Sequence, residues 1–150
     1  MDKPSNTKEL RIFLVDDDVL CLQSYTHLLN TLGYNNIACY TMGADCLTHL
    51  NEQPDFIFLD YFMEDMTGLE VLQTIKSVSP NIPVVFISAQ ENVEIMVQAI
   101  NMGAFDYIVK SHISANCFKT TIDNRDSNNT KANSSAKKTI FGRVSSALGI

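Results

Sequence analysis

Five side chains capable of chemistry stand at the C-terminal ends of short apolar runs. Asp16 and Asp17 follow Ile12-Phe13-Leu14-Val15, and Asp60 closes Phe56-Ile57-Phe58-Leu59. Ser88 closes Val84-Val85-Phe86-Ile87, and Lys110 follows Tyr107-Ile108-Val109. Three carboxylates brought together repel one another unless a cation joins them. A hard divalent cation with oxygen ligands meets that need, and Mg²⁺ in particular binds through one or two carboxylates plus phosphate oxygens. A carboxylate can also take up a phosphoryl group as an acyl phosphate. Phosphoryl transfer asks mainly for positioning and charge neutralisation. A lysine supplies a mobile positive charge for the phosphoryl oxygens, and a hydroxyl supplies a hydrogen bond.

For these residues to meet, the apolar runs must share one edge. Continuous runs rich in Ile, Val and Phe read as buried strands of a parallel sheet. Between them lie amphipathic stretches. Leu22, Tyr25, Leu28, Leu29 and Leu32 recur at helical spacing and stop at Gly33. Residues 35–40 give a second strand through Ile37 and Cys39, and Thr41 is expected to cap a second helix with Ala44, Leu47 and Leu50 inward. Gly68 opens a third helix with Leu69, Leu72 and Ile75 on one face. Val93, Met96, Val97 and Ile100 mark a fourth, stopped by Gly103, and Ile113, Cys117, Phe118 and Ile122 a fifth. Strands alternating with helices predict a doubly wound α/β fold, five parallel strands with helices on both faces. Open sheets of this kind bind ligands at the C-terminal strand edge.

The chain has 150 residues, enough for one domain with a proper core. Residues 1–110 carry five Lys/Arg against fifteen Asp/Glu, and residues 111–150 carry six against two, for a net charge of −6. The acidic part argues against direct nucleic-acid binding by the folded domain. Cys21, Cys39, Cys46 and Cys117 have no metal-site or redox-motif spacing and are expected as buried free thiols in a reducing compartment. Residues 1–9 form a polar lead without a secretion signal, and no apolar run approaches the ~20 residues that span a bilayer. A cytoplasmic protein is expected. Residues 10–124 form the expected domain. Residues 125–135 are rich in Asn, Ser and Asp, so 125–150 is expected to be a flexible basic tail ending in a weak helical stripe of Ile140, Phe141, Val144 and Leu148.

The pieces IFLVDDD from Ile12, FIFLD ending at Asp60, MTGLEVL from Met66, VVFISA ending at Ala89 and GAFDYIVK from Gly103 resemble the receiver domain of two-component response regulators. The resemblance implies the flavodoxin-like strand order 2-1-3-4-5. It implies Asp60 as phosphoacceptor, receiving its phosphoryl group from a sensor histidine kinase or a histidine phosphotransfer protein. Asp17 would bind Mg²⁺ directly and Asp16 through water, with Asp60 and the Phe62 backbone carbonyl completing the metal set. Ser88 and Tyr107 would be the switch pair, Lys110 the lysine that pairs with the phosphoryl group, and Phe62 and Gln90 the positions that tune its lifetime. The implied role is a signalling domain rather than an enzyme. A surface read by an unidentified downstream protein, and a phosphorylation-dependent dimer, are compatible with it.

Two positions depart from the family pattern. Ser111 follows Lys110 where a cis proline is usual, which leaves the aim of the lysine open. Glu64 stands where a proline is common, and with Asp65 it reads as a pair of solvent-facing loop acids. Phe62 occupies the place where an Asp-nucleophile phosphatase carries its second Asp, which counts against hydrolase chemistry. The run Asp16-Asp17-Asp18 would repel a flavin phosphate, and no Walker-type glycine loop occurs. A phosphorylation-independent interaction module, and the N-terminal piece of a longer regulator, stay open as alternatives.

Overall fold

The computed structural model describes residues 9–89 and 92–130. Five parallel strands stand in the order β2-β1-β3-β4-β5. They are β1 (Ile12–Val15), β2 (Ile37–Tyr40), β3 (Phe56–Asp60), β4 (Val84–Ser88) and β5 (Asp106–Val109). The helices are α1 (Val19–Thr31), α2 (Gly43–Thr48), α3 (Gly68–Val78), α4 (Val93–Asn101) and α5 (Ala115–Thr130). The doubly wound order 2-1-3-4-5 is therefore the one expected.

Side chains alternate between the two faces of the central strands. Phe13, Val15, Ile57, Leu59, Val84 and Phe86 pack with α2, α3 and α4, through Cys46, Val71, Leu72, Ile75, Met96 and Ala99. Ile12, Leu14, Phe56, Phe58, Val85, Ile87 and Ile108 face α1 and α5, through Leu22, Tyr25, Leu29, Phe118 and Ile122. Because both faces are covered, β1, β3 and β4 are buried throughout, which is why their sequences read as unbroken apolar runs. Phe118 packs its ring edge-on to Phe58 at 5.0 Å and Tyr25 at 5.9 Å, fastening α5 to α1 and the sheet. Helices α1 and α4 end on Gly33 and Gly103 at φ +93° and +95°, with the Tyr34 and Ala104 amides bonding back to Leu29 and Ala99.

Four local expectations need correction. The second helix begins at Gly43 rather than at a Thr41 cap, and Met42 in its cap position contributes no side-chain hydrogen bond. Gly43 and Cys46 are its buried residues, Ala44 is exposed, and Leu50 belongs to a separate 3₁₀ turn, Leu50–Glu52. On α4, Ile95, Met96 and Ala99 face inward while Val97 is 40% exposed. Of the four free thiols only Cys46 is buried, and Cys39, on the edge strand β2, is exposed. Finally, α5 continues to Thr130, six residues past the expected boundary at 124. Arg125 lies 3.5 Å from Asp55 and 5.5 Å over the Phe56 ring, tying that extra turn to the domain by contacts that local composition does not reveal. The expected tail beyond residue 130 and the lead before residue 9 lie outside the described residues.

Candidate functional site

The chain leaves β1 for β2 on one side of the sheet and resumes with β3 on the other, so the strand order reverses between β1 and β3. Register places Val15 beside Leu59, which sets Asp16 and Asp60 next to each other at that reversal. Asp16, Asp17 and Asp60 each offer a carboxylate oxygen within 4.8 Å of the others. Asp16 is 1% exposed and Asp60 6%. Asp17 stands open to solvent.

Local structure holds each group. Asp16 Oδ1 accepts from the Asp18 amide at 2.9 Å, turning the Asp16 carboxylate back over the start of α1. Asp18 caps that helix by accepting from the Leu20 amide. At the other side Gly68 opens α3 so close to β3 that a Cβ there would stand 2.7 Å from the Asp60 carbonyl oxygen and 2.6 Å from the Phe86 ring. The Gly68 amide also donates to Tyr61 at 2.7 Å, and Thr67 with Glu70 forms a capping box. Glycine is required there by close approach, not by backbone angle.

Lys110 reaches into the pocket from the end of β5. Its ammonium lies 2.9 Å from Asp16 Oδ2 and 3.6 Å from Asp60 Oδ1. A 3₁₀ turn at Lys110–His112 follows the strand, and no peptide bond among the described residues is cis. The lysine is thus aimed at the acids with Ser111 in the place of proline. Asp16 Oδ2 is buried and has the Lys110 ammonium as its ionic partner. The Cys21 thiol lies 3.8 Å from the same ammonium.

Burial pushes the Asp60 carboxyl up, Asp16 and Asp17 push the same way, and Lys110 opposes them, leaving it at about 7. Burial pulls the Lys110 ammonium down, but Asp16 and Asp60 outweigh it and hold it above its ordinary range. Three carboxylates against one ammonium leave a negative surplus when all are ionised. That surplus and the oxygen-only donor set suit a hard divalent cation such as Mg²⁺.

Ser88, at the end of β4, is 1% exposed. Tyr107 sits 2% exposed on β5 with its ring turned inward, stacked on Phe86 at 6.1 Å. Burial raises its phenol, a hydrogen bond with Ser88 lowers it and Asp60 raises it, and the balance is upward. Phe62 is 59% exposed in the loop after Asp60, its ring edge-on to Tyr61 at 4.5 Å. Gln90 lies outside the described residues. Asp65 is exposed, as expected of a solvent-facing loop acid, and its two oxygens also accept from the Gly43 and Ala44 amides, 3.1 and 3.0 Å away at the start of α2. The Thr67-Gly68-Leu69-Glu70 pattern advertises the capping box in sequence, whereas nothing local advertises the Asp65 contact.

No helix among the described residues is long and apolar enough to cross a membrane. The chain is 36% identical over 103 residues to the transcriptional regulatory protein ZraR of Salmonella typhimurium, taking in 68% of this chain and 23% of that protein. It is 31% identical over 112 residues to the luminescence regulatory protein LuxO of Vibrio campbellii, 74% of this chain and 24% of that one. The chain thus spans about a quarter of the length of these curated relatives. A CheY-like receiver domain protein from Methanospirillum hungatei superposes with a TM-score of 0.74 at 25% identity, over 82% of this chain and 98% of that one. The receiver domain of a LuxO-like repressor from Vibrio parahaemolyticus gives 0.71 at 27%, over 77% and 88%. The model of the response regulator receiver domain matches residues 12–121. With its sheet order and its acid pocket at the strand reversal, the chain belongs to the response regulator receiver domain family, the signalling module of two-component systems that is phosphorylated on aspartate.

Proposed function

We propose that Asp60 is the phosphoacceptor of this receiver and that its phosphorylation depends on Mg²⁺. The observation that carries the reading is the convergence of Asp16, Asp17, Asp60 and Lys110 on one pocket at the reversal of strand order. Asp16, Asp17 and the Phe62 carbonyl would hold the cation together with Asp60. When bound, Mg²⁺ supplies the positive charge that keeps the carboxylates ionised and neutralises phosphoryl oxygens. An Asp60 carboxylate oxygen forms the new O–P bond as the P–N bond of a donor phosphohistidine breaks, and the imidazole leaves with the electron pair. A histidine kinase or histidine phosphotransfer protein is the donor this chemistry requires. Lys110 then turns from the acids toward the phosphoryl oxygens, and Ser88 donates its hydroxyl to one of them.

Ser88 and Tyr107 lie on neighbouring strands beneath the pocket. A hydroxyl drawn toward the phosphoryl group gives up its bond with the phenol, and this couples the acid site to the packing of β5. The inward Tyr107 ring is one end of that movement. Downstream output is then a change in the surface around β5, read by a protein partner.

Incubation with acetyl phosphate and Mg²⁺, followed by intact mass, tests the proposal. The parent gains one phosphoryl group. Asp60→Asn gains none, and neither does the parent in excess EDTA. Equal labelling of Asp60→Asn sinks the assignment.

Phe62 presents an apolar ring where a smaller polar side chain could hydrogen-bond an attacking water. The acyl phosphate of the parent is therefore expected to outlast that of Phe62→Asn by about threefold or more, on the order of 1 kcal/mol in the hydrolysis barrier. Decay after removal of the phosphodonor measures it. An equal or shorter lifetime in the parent removes Phe62 from the rate-tuning set.

A further inference from the structure

The loop of residues 61–67, which leads from Asp60 to α3, is fastened to α2. Locally, the bond from the Gly68 amide to Tyr61 and the Thr67–Glu70 capping box close the loop onto α3. The Asp65 carboxylate joins it to a different element, spanning the first two amides of α2 at 3.1 and 3.0 Å. That helix lacks a cap of its own, since Met42 offers no side-chain acceptor. Packing reinforces the junction: a Cβ on Gly43 would lie 2.8 Å from Met66 Cγ and 2.7 Å from Val71 Cγ2, so loop and helix meet without room for a methyl group. Slight burial pushes the Asp65 carboxyl up, and the Ala44 and Gly43 amides, together with the loop's own Asp65 and Met66 amides, more than reverse it, as expected for a carboxylate held in its charged form.

We infer that Asp65 is a positioning residue for the phosphoacceptor pocket: by pinning the loop to α2, it holds the backbone that follows Asp60, including the Phe62 carbonyl, where the cation needs it. The inference rests on the Mg²⁺-dependent reading of the pocket given above. A supporting partner that orients metal ligands from behind typically changes metal affinity about 10–100-fold when removed. Asp65 acts through three residues of backbone, so about 5–10-fold is expected, at or below the low end of that range.

A plain helix cap would also stabilise the fold, so the test must separate capping from pinning. Asp65→Ala removes both. Adding Met42→Ser gives α2 an acceptor at its own cap position, where the backbone is already extended at φ −131°, ψ 139°. Three readouts are followed: Tm by thermal unfolding and, at a temperature well below it, Mg²⁺ affinity by calorimetry and hydrogen exchange of the Gly68 amide in metal-free protein. Asp65→Ala is expected to lower Tm, weaken Mg²⁺ about 5–10-fold and speed Gly68 exchange severalfold. In Asp65→Ala/Met42→Ser, Tm recovers while Mg²⁺ affinity and Gly68 exchange do not. If both return to the parent values along with Tm, Asp65 is a cap and the inference is overturned. If the parent binds no Mg²⁺ at millimolar concentration, the reading of the pocket fails instead, and Gly68 exchange still decides whether Asp65 holds the loop.

Discussion

Asp60→Asn is expected to stabilise the metal-free domain at pH 8 by roughly 2–4 kcal/mol, although it removes the residue on which the proposed function rests. The Asp60 carboxyl in the folded protein holds its proton up to about pH 7, whereas the unfolded chain releases it near 3.8. Between those values the folded state binds more protons, so this group's contribution to stability is lost as pH rises through that window. At pH 8 the buried carboxylate is ionised beside Asp16 and Asp17 with one lysine to offset it. Asparagine removes that charge at nearly constant volume. Urea unfolding in EDTA should show the gain at pH 8 and less than half of it at pH 5. Saturating Mg²⁺ should favour the parent again, because ligand binding adds stability in proportion to affinity for the folded state. A variant no more stable than the parent at pH 8 without metal would contradict the electrostatic account of the pocket.

Lys110→Ala is expected to act in the opposite direction. The ammonium stands between two buried carboxylates, 2.9 Å from one and 3.6 Å from the other. Removing one partner of a fully buried pair costs about 3–5 kcal/mol, because the remaining charge is left uncompensated. The Lys110 side chain is 23% exposed, so roughly 2–4 kcal/mol is expected in EDTA. Mg²⁺ should restore much of the loss, since a divalent ion in the same pocket neutralises the same acids. The loss should also shrink when Asp60→Asn is combined with Lys110→Ala, because residues in contact do not contribute additively. Equal destabilisation in EDTA and in Mg²⁺ would mean that Lys110 contributes packing and not charge.

The acids of the pocket were legible in the sequence because each terminates a buried strand. β1, β3 and β4 are covered on both faces, so their apolar runs are unbroken and their ends are marked by the first polar residue. Gly33 and Gly103 marked helix ends for an equally local reason, a left-handed turn. Expectations failed where the determinant lay far along the chain. Thr41 was the natural local cap for α2, but Asp65 supplies the acceptor from more than twenty residues away. A change in composition marks residue 124 as the end of the domain, while Arg125 carries α5 onward by reaching Asp55 and Phe56. The aim of Lys110 was open for the same reason. Its local pattern lacks the usual proline, and the attraction of Asp16 and Asp60, brought from other strands, directs it into the pocket.

The most direct measurement is the position of the phosphoryl group itself. Protein treated with acetyl phosphate and Mg²⁺ is reduced with borohydride, which converts an aspartyl phosphate to homoserine, and its peptides are sequenced by tandem mass spectrometry. The account requires homoserine at position 60, dependent on Mg²⁺ during labelling, with Asp16, Asp17 and Asp65 unchanged. Homoserine at one of those three positions instead, or labelling at 60 that is indifferent to Mg²⁺, would contradict it.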